Sequence, residues 1–471
     1  MTSKLRNLIT AVVVLTALSG TMLFLRFSQN NKQEQEEETP PSYVTITDIK
    51  PENLRFAEIN RNTDKLVFSS MDGVNWQING TPEFFRINKN TVNSTLSSLS
   101  SMRSGEIITK NAAGNDLEAF GLDKPQVLLT LKDKDGKSVQ VEVGIKSPSG
   151  SGYYARIRNN PEIVLLPAYS ASYLFRNLDN FRDKSLPVIT PEKLIYVELR
   201  HNGTDFVAEK SELKDGFRSL NNKFVIKSPW KGTYFFDDYE FAQLVQEHPF
   251  PSQAIDFYDN LNPSDPELGL DKKKADRLFM KDSSGNIVDF LIGNKDSKGN
   301  YYAVSGDRTG PVFTLSENDT AIVRTPPFKL TDKFVFLASI QNMKQVKIQK
   351  GRNSWIMKRD PAGKDDDVKD DHYFINGLEI PFKEFSSAYQ KLIGMTWEGL
   401  AEEKVSLGTP ECRITFYNID SGIKPVTIRL WNYNDVYYQG SSDKQPVEFL
   451  IGKYQLENLL GDLDALKEYG S

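Results

Sequence analysis

The feature that most constrains this fold is a motif that recurs three times along the 471-residue chain. Each copy has a glycine-containing turn and, further on, two adjacent tyrosines that begin at Tyr153, Tyr301 or Tyr437. The anchor positions stay in step, because Tyr153 and Tyr301 lie 148 residues apart while Gly136 and Gly285 lie 149 apart. A period near 140 residues is too long for a solenoid repeat, so the pattern predicts duplicated domains.

Each copy has the pattern of a β-meander. The segments "KDKDG", "KDSSG" and "NIDSG" are typical of turns, in which glycine accepts a positive φ and Asp or Ser bonds the local backbone. Apolar residues alternate beyond the turns, most cleanly at Val139, Val141, Val143 and at Val426, Ile428, Leu430. Period two predicts strands with one face on a core. We expect each tyrosine pair to open the next strand, with its two rings on opposite faces.

A hairpin and an amphipathic helix precede each meander. Every hairpin has a glycine turn followed by a large aromatic residue, namely Trp76, Phe206 or Trp355. The helix faces comprise Val92, Leu96 and Leu99; Phe241, Leu244, Val245 and His248; and Phe385, Tyr389 and Leu392. The sequence therefore predicts an α+β fold with three tandem modules, 46–190, 191–337 and a diverged 338–471. Each module is expected to be an antiparallel sheet of hairpin and meander with one packed helix.

The first 45 residues differ in composition from the rest. Leu8–Leu25 contains 18 uncharged residues, which span roughly 27 Å as a helix and nearly match a ~30 Å hydrocarbon core. Lys4 and Arg6 precede it, so we expect residues 1–26 to form a cytoplasmic stub and a transmembrane anchor. The acidic, proline-closed stretch 27–45 is expected to be a flexible tether. Cleavage near Gly20 is the alternative to an uncleaved anchor.

Charge and cysteine content exclude some classes of function. The formal net charge is −5, and the first 26 residues carry three bases and no acid. An acidic bulk is a poor partner for nucleic acid. Cys412 is the only cysteine, so no internal disulfide can form. It lies in the strand-like "CRITFYN", and we expect it to be a buried structural residue and not a nucleophile.

Three motifs together resemble a known family. "GLDKP" at Gly121, "YYAR" at Tyr153 and "FRDK" at Phe181, behind an apolar N-terminal segment, resemble the DUF4340 family of bacterial envelope proteins. The resemblance covers most of Asp48–Leu466 and is weakest in the third copy, where "LGTP" replaces "GLDKP". It implies a single-pass inner-membrane protein whose C-terminal bulk lies on the periplasmic side. It also implies partners, the permease and ATPase of a gliding-motility-type ABC transporter, but no catalytic residues.

Motifs for chemistry are missing from the sequence. No phosphate loop, HExxH or GxSxG is present, and the histidines His201, His248 and His372 are scattered. We therefore predict no catalytic residue, cofactor or metal, and the ligand-binding residues are unknown. The acidic run Gly363–Asp371 lacks the EF-hand spacing. A solvated loop is favoured there, with calcium binding as the alternative.

The leading hypothesis is a non-enzymatic, membrane-anchored accessory subunit of an ABC transporter that acts as a scaffold or a substrate-handling surface. The first alternative is an independent module that binds an envelope lipid or glycan. The second alternative is an unrecognised envelope hydrolase.

Overall fold

Antiparallel β-sheet dominates the computed structural model of this protein. The structure describes residues 44–211, 217, 223–362, 368–402, 408–443 and 445–467. The chain divides into two compact units, Met1–Asp183 and Lys184–Ser471. The described strands form one sheet of eight strands, two sheets of nine and a two-stranded ribbon. The finer division into modules at 190/191 and 337/338 stays a prediction.

The first unit contains the eight-stranded sheet, which we call the first sheet, and the ribbon of β1 and β5. Its strands are β1 (Val44–Thr45), β2 (Leu54–Arg61), β3 (Lys65–Ser69), β4 (Gln77–Ile78), β5 (Arg103–Ser104), β6 (Glu106–Thr109), β7 (Val127–Asp133), β8 (Ser138–Lys146), β9 (Gly152–Ile157) and β10 (Ile163–Pro167). Its helices are α1 (Lys89–Ser100), α2 (Gly114–Ala119) and α3 (Ala168–Ala171). The strand order in the sheet is β4-β3-β2-β7-β8-β9-β10-β6.

The second unit contains both nine-stranded sheets. The second sheet has β11 (Leu194–His201), β12 (Thr204–Ser211), β13 (Lys223–Ser228), β14 (Tyr234–Phe235), β15 (Phe257–Tyr258), β16 (Asp276–Asp282), β17 (Ile287–Lys295), β18 (Tyr301–Ser305) and β19 (Val312–Leu315). The third has β20 (Met343–Lys350), β21 (Asn353–Asp360), β22 (His372–Ile375), β23 (Leu378–Glu379), β24 (Gly399–Leu400), β25 (Cys412–Asn418), β26 (Val426–Asn432), β27 (Tyr437–Ser442) and β28 (Gln445–Gly452). The helices are α4 (Asp238–Glu247), α5 (Glu317–Thr320), α6 (Phe382–Ile393) and α7 (Lys453–Lys467).

The three large sheets share one strand order. In each of them the first hairpin strand pairs with the first meander strand, as β2 with β7, β11 with β16 and β20 with β25. The hairpin and the meander therefore form one continuous sheet. Each of these pairings also has a register shift at the same place, after Leu54, Leu194 and Met343. Most edge strands are only two residues long, which leaves little free edge for pairing with another chain.

Helix α1 covers the core of the first unit. Its residues Val92, Leu96 and Leu99 are buried against the sheet. Asn88 caps the helix by accepting a hydrogen bond from the Thr91 backbone N–H at 3.0 Å. This apolar stripe is the one that the sequence spacing indicates.

The second unit has one main core to which both of its sheets contribute. Phe449, which is 1% exposed, lies at the centre of an aromatic group. The rings of Trp230 and Tyr234 lie 5.3 and 5.0 Å from it, and those of Phe328 and Trp397 lie at 5.4 and 5.8 Å. These rings come from both sheets and from the segment between them, so each sheet depends on the other for burial.

The tyrosine pairs place their two rings in different surroundings, as the strand alternation predicts. Tyr301 packs against the main core, whereas Tyr302 packs into a second, smaller apolar cluster beside Tyr258. In the first unit, Tyr153 contacts Phe175 and Tyr154 contacts Phe120.

The predicted α+β class with one helix per module is wrong, because the described chain is mainly antiparallel sheet with short helices. The described residues hold seven α-helices, and the longest of them, α7, has 15 residues. Edge strands of two to four residues are too short to show the alternation of apolar and polar residues, so the sequence analysis predicted fewer strands per sheet than the structure has. The third sheet also packs two helices, α6 and α7, which are joined by an ion pair between Lys391 and Asp462.

The predicted N-terminal transmembrane helix is also corrected. Among the described residues, no helix has the length and apolar character needed to cross a bilayer. The expected anchor in residues 1–26, with its apolar stretch Leu8–Leu25, lies outside the described residues. So does most of the expected tether 27–45, but its last two residues, Val44–Thr45, form strand β1.

Candidate functional site on the second sheet

An open groove lies on the face of the second sheet that points away from the main core. Along β11, Val197 and Leu199 are buried in the core, whereas Tyr196 and Glu198 alternate with them and point to the other face. The groove has a volume of about 680 Å³ and is lined by residues of the three adjacent strands β12, β11 and β16. Such a concave surface on a rigid sheet is suited to binding.

Two aromatic rings form the floor of the groove. Tyr196 and Phe279 lie on neighbouring strands in a diagonal register, with ring centroids 5.6 Å apart and planes at 85°. The guanidinium of Arg277 lies over the Phe279 ring at 4.9 Å. Partial burial, followed by the nearby charge of Glu198, raises the pKa of the Tyr196 phenol. The hydroxyl of Tyr196 donates a hydrogen bond to Glu198 at 3.4 Å.

Ion pairs hold the arginine at the end of the groove in place. Arg277 donates two hydrogen bonds to Asp289, at 2.9 and 3.0 Å, and one to Glu198 at 2.8 Å. Arg200 adds a second cation 3.6 Å from Glu198 and pairs with Asp205 at 2.8 Å. The hydrogen bond with Asp289 is the main cause of the raised pKa of Arg277. Each of these three carboxylates is bonded to a fixed arginine, an arrangement that makes the surface rigid.

Two lysines leave the groove with an excess of positive charge. Glu209 pairs with Lys227 at 2.7 Å. Lys210 and Lys281 line the same end of the groove, are exposed, and form no ion pair with any residue of the described part of the chain. The four acids named above outnumber the three cations paired with them by one, so the two lysines leave the groove with a net charge of +1.

The aromatic and ionic arrangement is specific to the second sheet. At the positions that match Tyr196 and Phe279 in strand register, the first sheet has Phe56 and Thr130. The third sheet has Gln345 and Thr415 there. Where the second sheet has Arg277 bonded to Asp289, the first has Leu128, and Gln140 instead donates to Thr130 at 3.2 Å. The core faces of the three sheets are alike, but their outer faces differ.

The strand glycines that face the "GLD" turns have a structural role. A Cβ on Gly144 would lie 2.1 Å from the carbonyl oxygen of Phe120, and a Cβ on Gly293 would lie 2.0 Å from that of Leu268. These turns therefore pack directly against the strand backbone of β8 and β17. In the third sheet Trp431 occupies the matching position, and its indole N–H donates to the Gly408 carbonyl at 2.9 Å. In the third copy, where the sequence has "LGTP" in place of "GLDKP", this tryptophan contact takes the place of the close glycine packing.

The histidines and the cysteine that the sequence singled out are not brought together. His201 contacts Asp276 at 3.0 Å, and His372 contacts Glu379 at 2.7 Å. His248 caps the C-terminus of α4 and contacts Asn318 at 2.7 Å instead of lying on its apolar stripe. Cys412 is fully buried in β25, and burial raises the pKa of its thiol to about 12.

No group of three or more His, Cys, Asp or Glu side chains in the described residues is arranged to hold a metal ion. Most of the acidic run Gly363–Asp371 lies outside the described residues. Its last member, Asp371, accepts a hydrogen bond from Arg359 at 2.6 Å.

Sequence reasoning did not find the groove residues. "YVELR" and "DRLFMK" show outward-pointing Tyr196, Arg277 and Phe279, but about 80 residues separate the two segments. Only the pairing of β11 with β16 brings them together. The detectable signal was the alternation itself, with aromatic and charged residues on the outward positions of two strands.

The fold defines a protein built on large antiparallel sheets, one of which has an open groove on its outer face. The family model of a domain of unknown function, DUF4340, matches residues 76–273. The chain therefore carries a DUF4340 domain, over a narrower stretch than the resemblance along Asp48–Leu466. Searches among curated proteins and among solved structures find no match to this chain.

Proposed function

We propose that this protein is a non-enzymatic, extracytoplasmic accessory subunit of an ABC transporter complex. In this proposal the outer face of the second sheet is the contact surface for a partner or for the substrate. The DUF4340 domain supports the class of partner through its resemblance to envelope proteins encoded beside transporter components. The groove on the second sheet supports a contact role for this chain.

The observation that carries the proposal is the composition of the groove. Tyrosine, arginine and phenylalanine are the side chains enriched at protein interfaces, and here Tyr196, Arg277 and Phe279 lie together on one rigid sheet. The ion pairs of Arg277 fix its position before a partner arrives, which lowers the entropic cost of binding. The short edge strands favour contact through the face over strand addition at an edge.

Gene triplication explains how such a surface could arise. The shared strand order and the matching register shifts after Leu54, Leu194 and Met343 support three tandem copies of one ancestral module. Duplicated sheets need to keep only their core face to stay folded. Their outer faces are then free to acquire different contacts, as the second sheet has done.

Affinity purification of the tagged full-length chain from a gentle detergent extract of its native cells tests this function. We expect mass spectrometry to recover an ABC permease and an ATPase above an untagged control. Recovery of neither, from a sample whose thermal melt shows a folded chain, would overturn the proposal. Retention of a defined envelope lipid or glycan in place of these proteins would favour the alternative of an independent binding module.

A further inference from the structure

The groove on the second sheet has the chemistry to recognise an acidic protein segment. We infer that it is the docking site for an extended segment of a partner protein in which an acidic residue adjoins a large apolar one. This inference rests on the proposed function, because it names the chemistry of the partner's contact. Three observations carry it: the balance of charge, the position of the rings and the dimensions of the groove.

The charge balance favours an anionic partner. Glu198 pairs with Arg277 at 2.8 Å and Glu209 with Lys227 at 2.7 Å, and the groove with its ion pairs has one cation more than it has acids. Within the described residues, Lys210 and Lys281 have no acidic partner, and both line the groove. A carboxylate placed between these ammonium groups would complete the electrostatic pattern, whereas a cationic ligand would meet uncompensated repulsion.

The aromatic floor supplies the apolar contact next to that charge. Tyr196 lies directly opposite Lys281 in the pairing of β11 with β16. The rings of Tyr196 and Phe279 are both partly exposed and lie 5.6 Å apart. An apolar side chain seated on these rings therefore lies beside the lysines, so the ligand needs an acid within one or two residues of its apolar anchor.

The dimensions favour a short extended chain. Arg277 and Lys281 mark the two ends of the groove on one strand, four residues apart, which is about 13 Å at 3.3 Å per residue. The lining residues come from three adjacent strands, and two inter-strand spacings give a width of about 10 Å. A membrane surface would require lysines and rings that protrude, whereas here both rings are partly buried in the floor.

The test uses the purified full-length chain and two fluorescent ten-residue peptides. In one, glutamate–phenylalanine pairs are spaced by glycine and serine, and in the other lysine replaces glutamate. Vesicles of phosphatidylglycerol provide the lipid arm. We expect the glutamate peptide to bind, to weaken as salt rises, and to bind at least ten times more tightly than the lysine peptide.

The deciding variant carries Lys210→Glu and Lys281→Glu, and a second carries Tyr196→Ala and Phe279→Ala. The matched control is Lys132→Glu with Phe56→Ala on the first sheet, where Lys132 lies over the Phe56 ring at 5.1 Å. Each second-sheet variant should lose at least tenfold in affinity for the glutamate peptide, and the control should lose less than twofold. The lysine-to-glutamate variant should also gain affinity for the lysine peptide, a result that misfolding cannot produce.

Absence of peptide binding, equal losses in the control, or binding to vesicles alone would each overturn the inference. The same variants separate it from the proposed function in the purification experiment. If the second-sheet variants recover the transporter subunits as well as the unmodified chain does, the docking site is wrong and the accessory role stands. If peptides bind as expected but no transporter subunit is recovered, the accessory role fails and the chemistry of the groove stands.

Discussion

Replacement of Gly293 by alanine should destabilise the second unit severely, although it adds only one methyl group. The new Cβ would lie 2.0 Å from the Leu268 carbonyl oxygen and 3.0 Å from the Gly269 carbonyl carbon. Both are backbone atoms, so no side-chain rotation can relieve the overlap, and the strand must move by about 1.4 Å to reach an ordinary contact of 3.4 Å. Overpacking costs about 1–3 kcal/mol. Because backbone must move here, we expect the upper end, about 3 kcal/mol.

Differential scanning calorimetry of the full-length chain measures this effect. A loss of about 3 kcal/mol corresponds to a decrease in Tm of about 5 °C for a unit that runs from Lys184 to Ser471. The control is Gly114→Ala at the start of α2, where the new Cβ meets nothing within 4 Å, and we expect it to be neutral or stabilising by less than about 1 kcal/mol. A Gly293→Ala protein that melts within about 1 °C of the unmodified chain would refute the close-packing argument.

Three further predictions follow from the structure. Phe449→Ala should destabilise the second unit by about 3–5 kcal/mol in urea unfolding, whereas the 70% exposed Tyr239→Ala should change it by less than about 0.5 kcal/mol. Cys412 should not react with a thiol reagent at pH 8 until urea unfolds the chain, because burial raises its pKa to about 12; fast reaction in the folded state would contradict its burial. The hydrogen bond from Lys298 lowers the pKa of Asp256, so the stabilisation from this pair should be fully present above about pH 4 and be lost as the pH falls through the lowered pKa. Asp256→Asn should therefore reduce Tm at pH 7, and the reduction should shrink as the pH falls below about 4. A reduction that does not change with pH would contradict the ionic origin.

Single strands and helix ends could be predicted because the residues that determine them are close together in the sequence. Alternation along Val139–Val143 indicated a strand, and Asp237 indicated the start of helix α4, where it accepts a hydrogen bond from the Glu240 backbone N–H at 3.0 Å. The alternation of strand faces also predicted the separation of the Tyr301 and Tyr302 rings. Each of these signals depends on residues within a few positions of one another.

The features that could not be predicted depend on pairing over long distances. A sheet of hairpin and meander was expected, but the pairing of β11 with β16 and its register could not be predicted from either sequence. The shared core around Phe449 joins Trp230 to a residue more than 200 positions later. The groove depends on the same pairings, so Tyr196 and Phe279 could be assigned to outward positions without any sign that they meet.

The boundaries of the family domain do not coincide with those of the two compact units. Comparing them distinguishes residues that maintain the fold from residues that we propose to contact a partner. The matched stretch 76–273 runs through the boundary between Asp183 and Lys184. It contains the glycine turns at Gly121 and Gly269, which pack closely against the next strand in the first and second sheets. Glycines that recur because of close packing identify the fold and not the function. Tyr196 and Phe279 have no matching aromatic pair on the other two sheets, so the contact surface that we propose depends on residues that the repeat does not preserve.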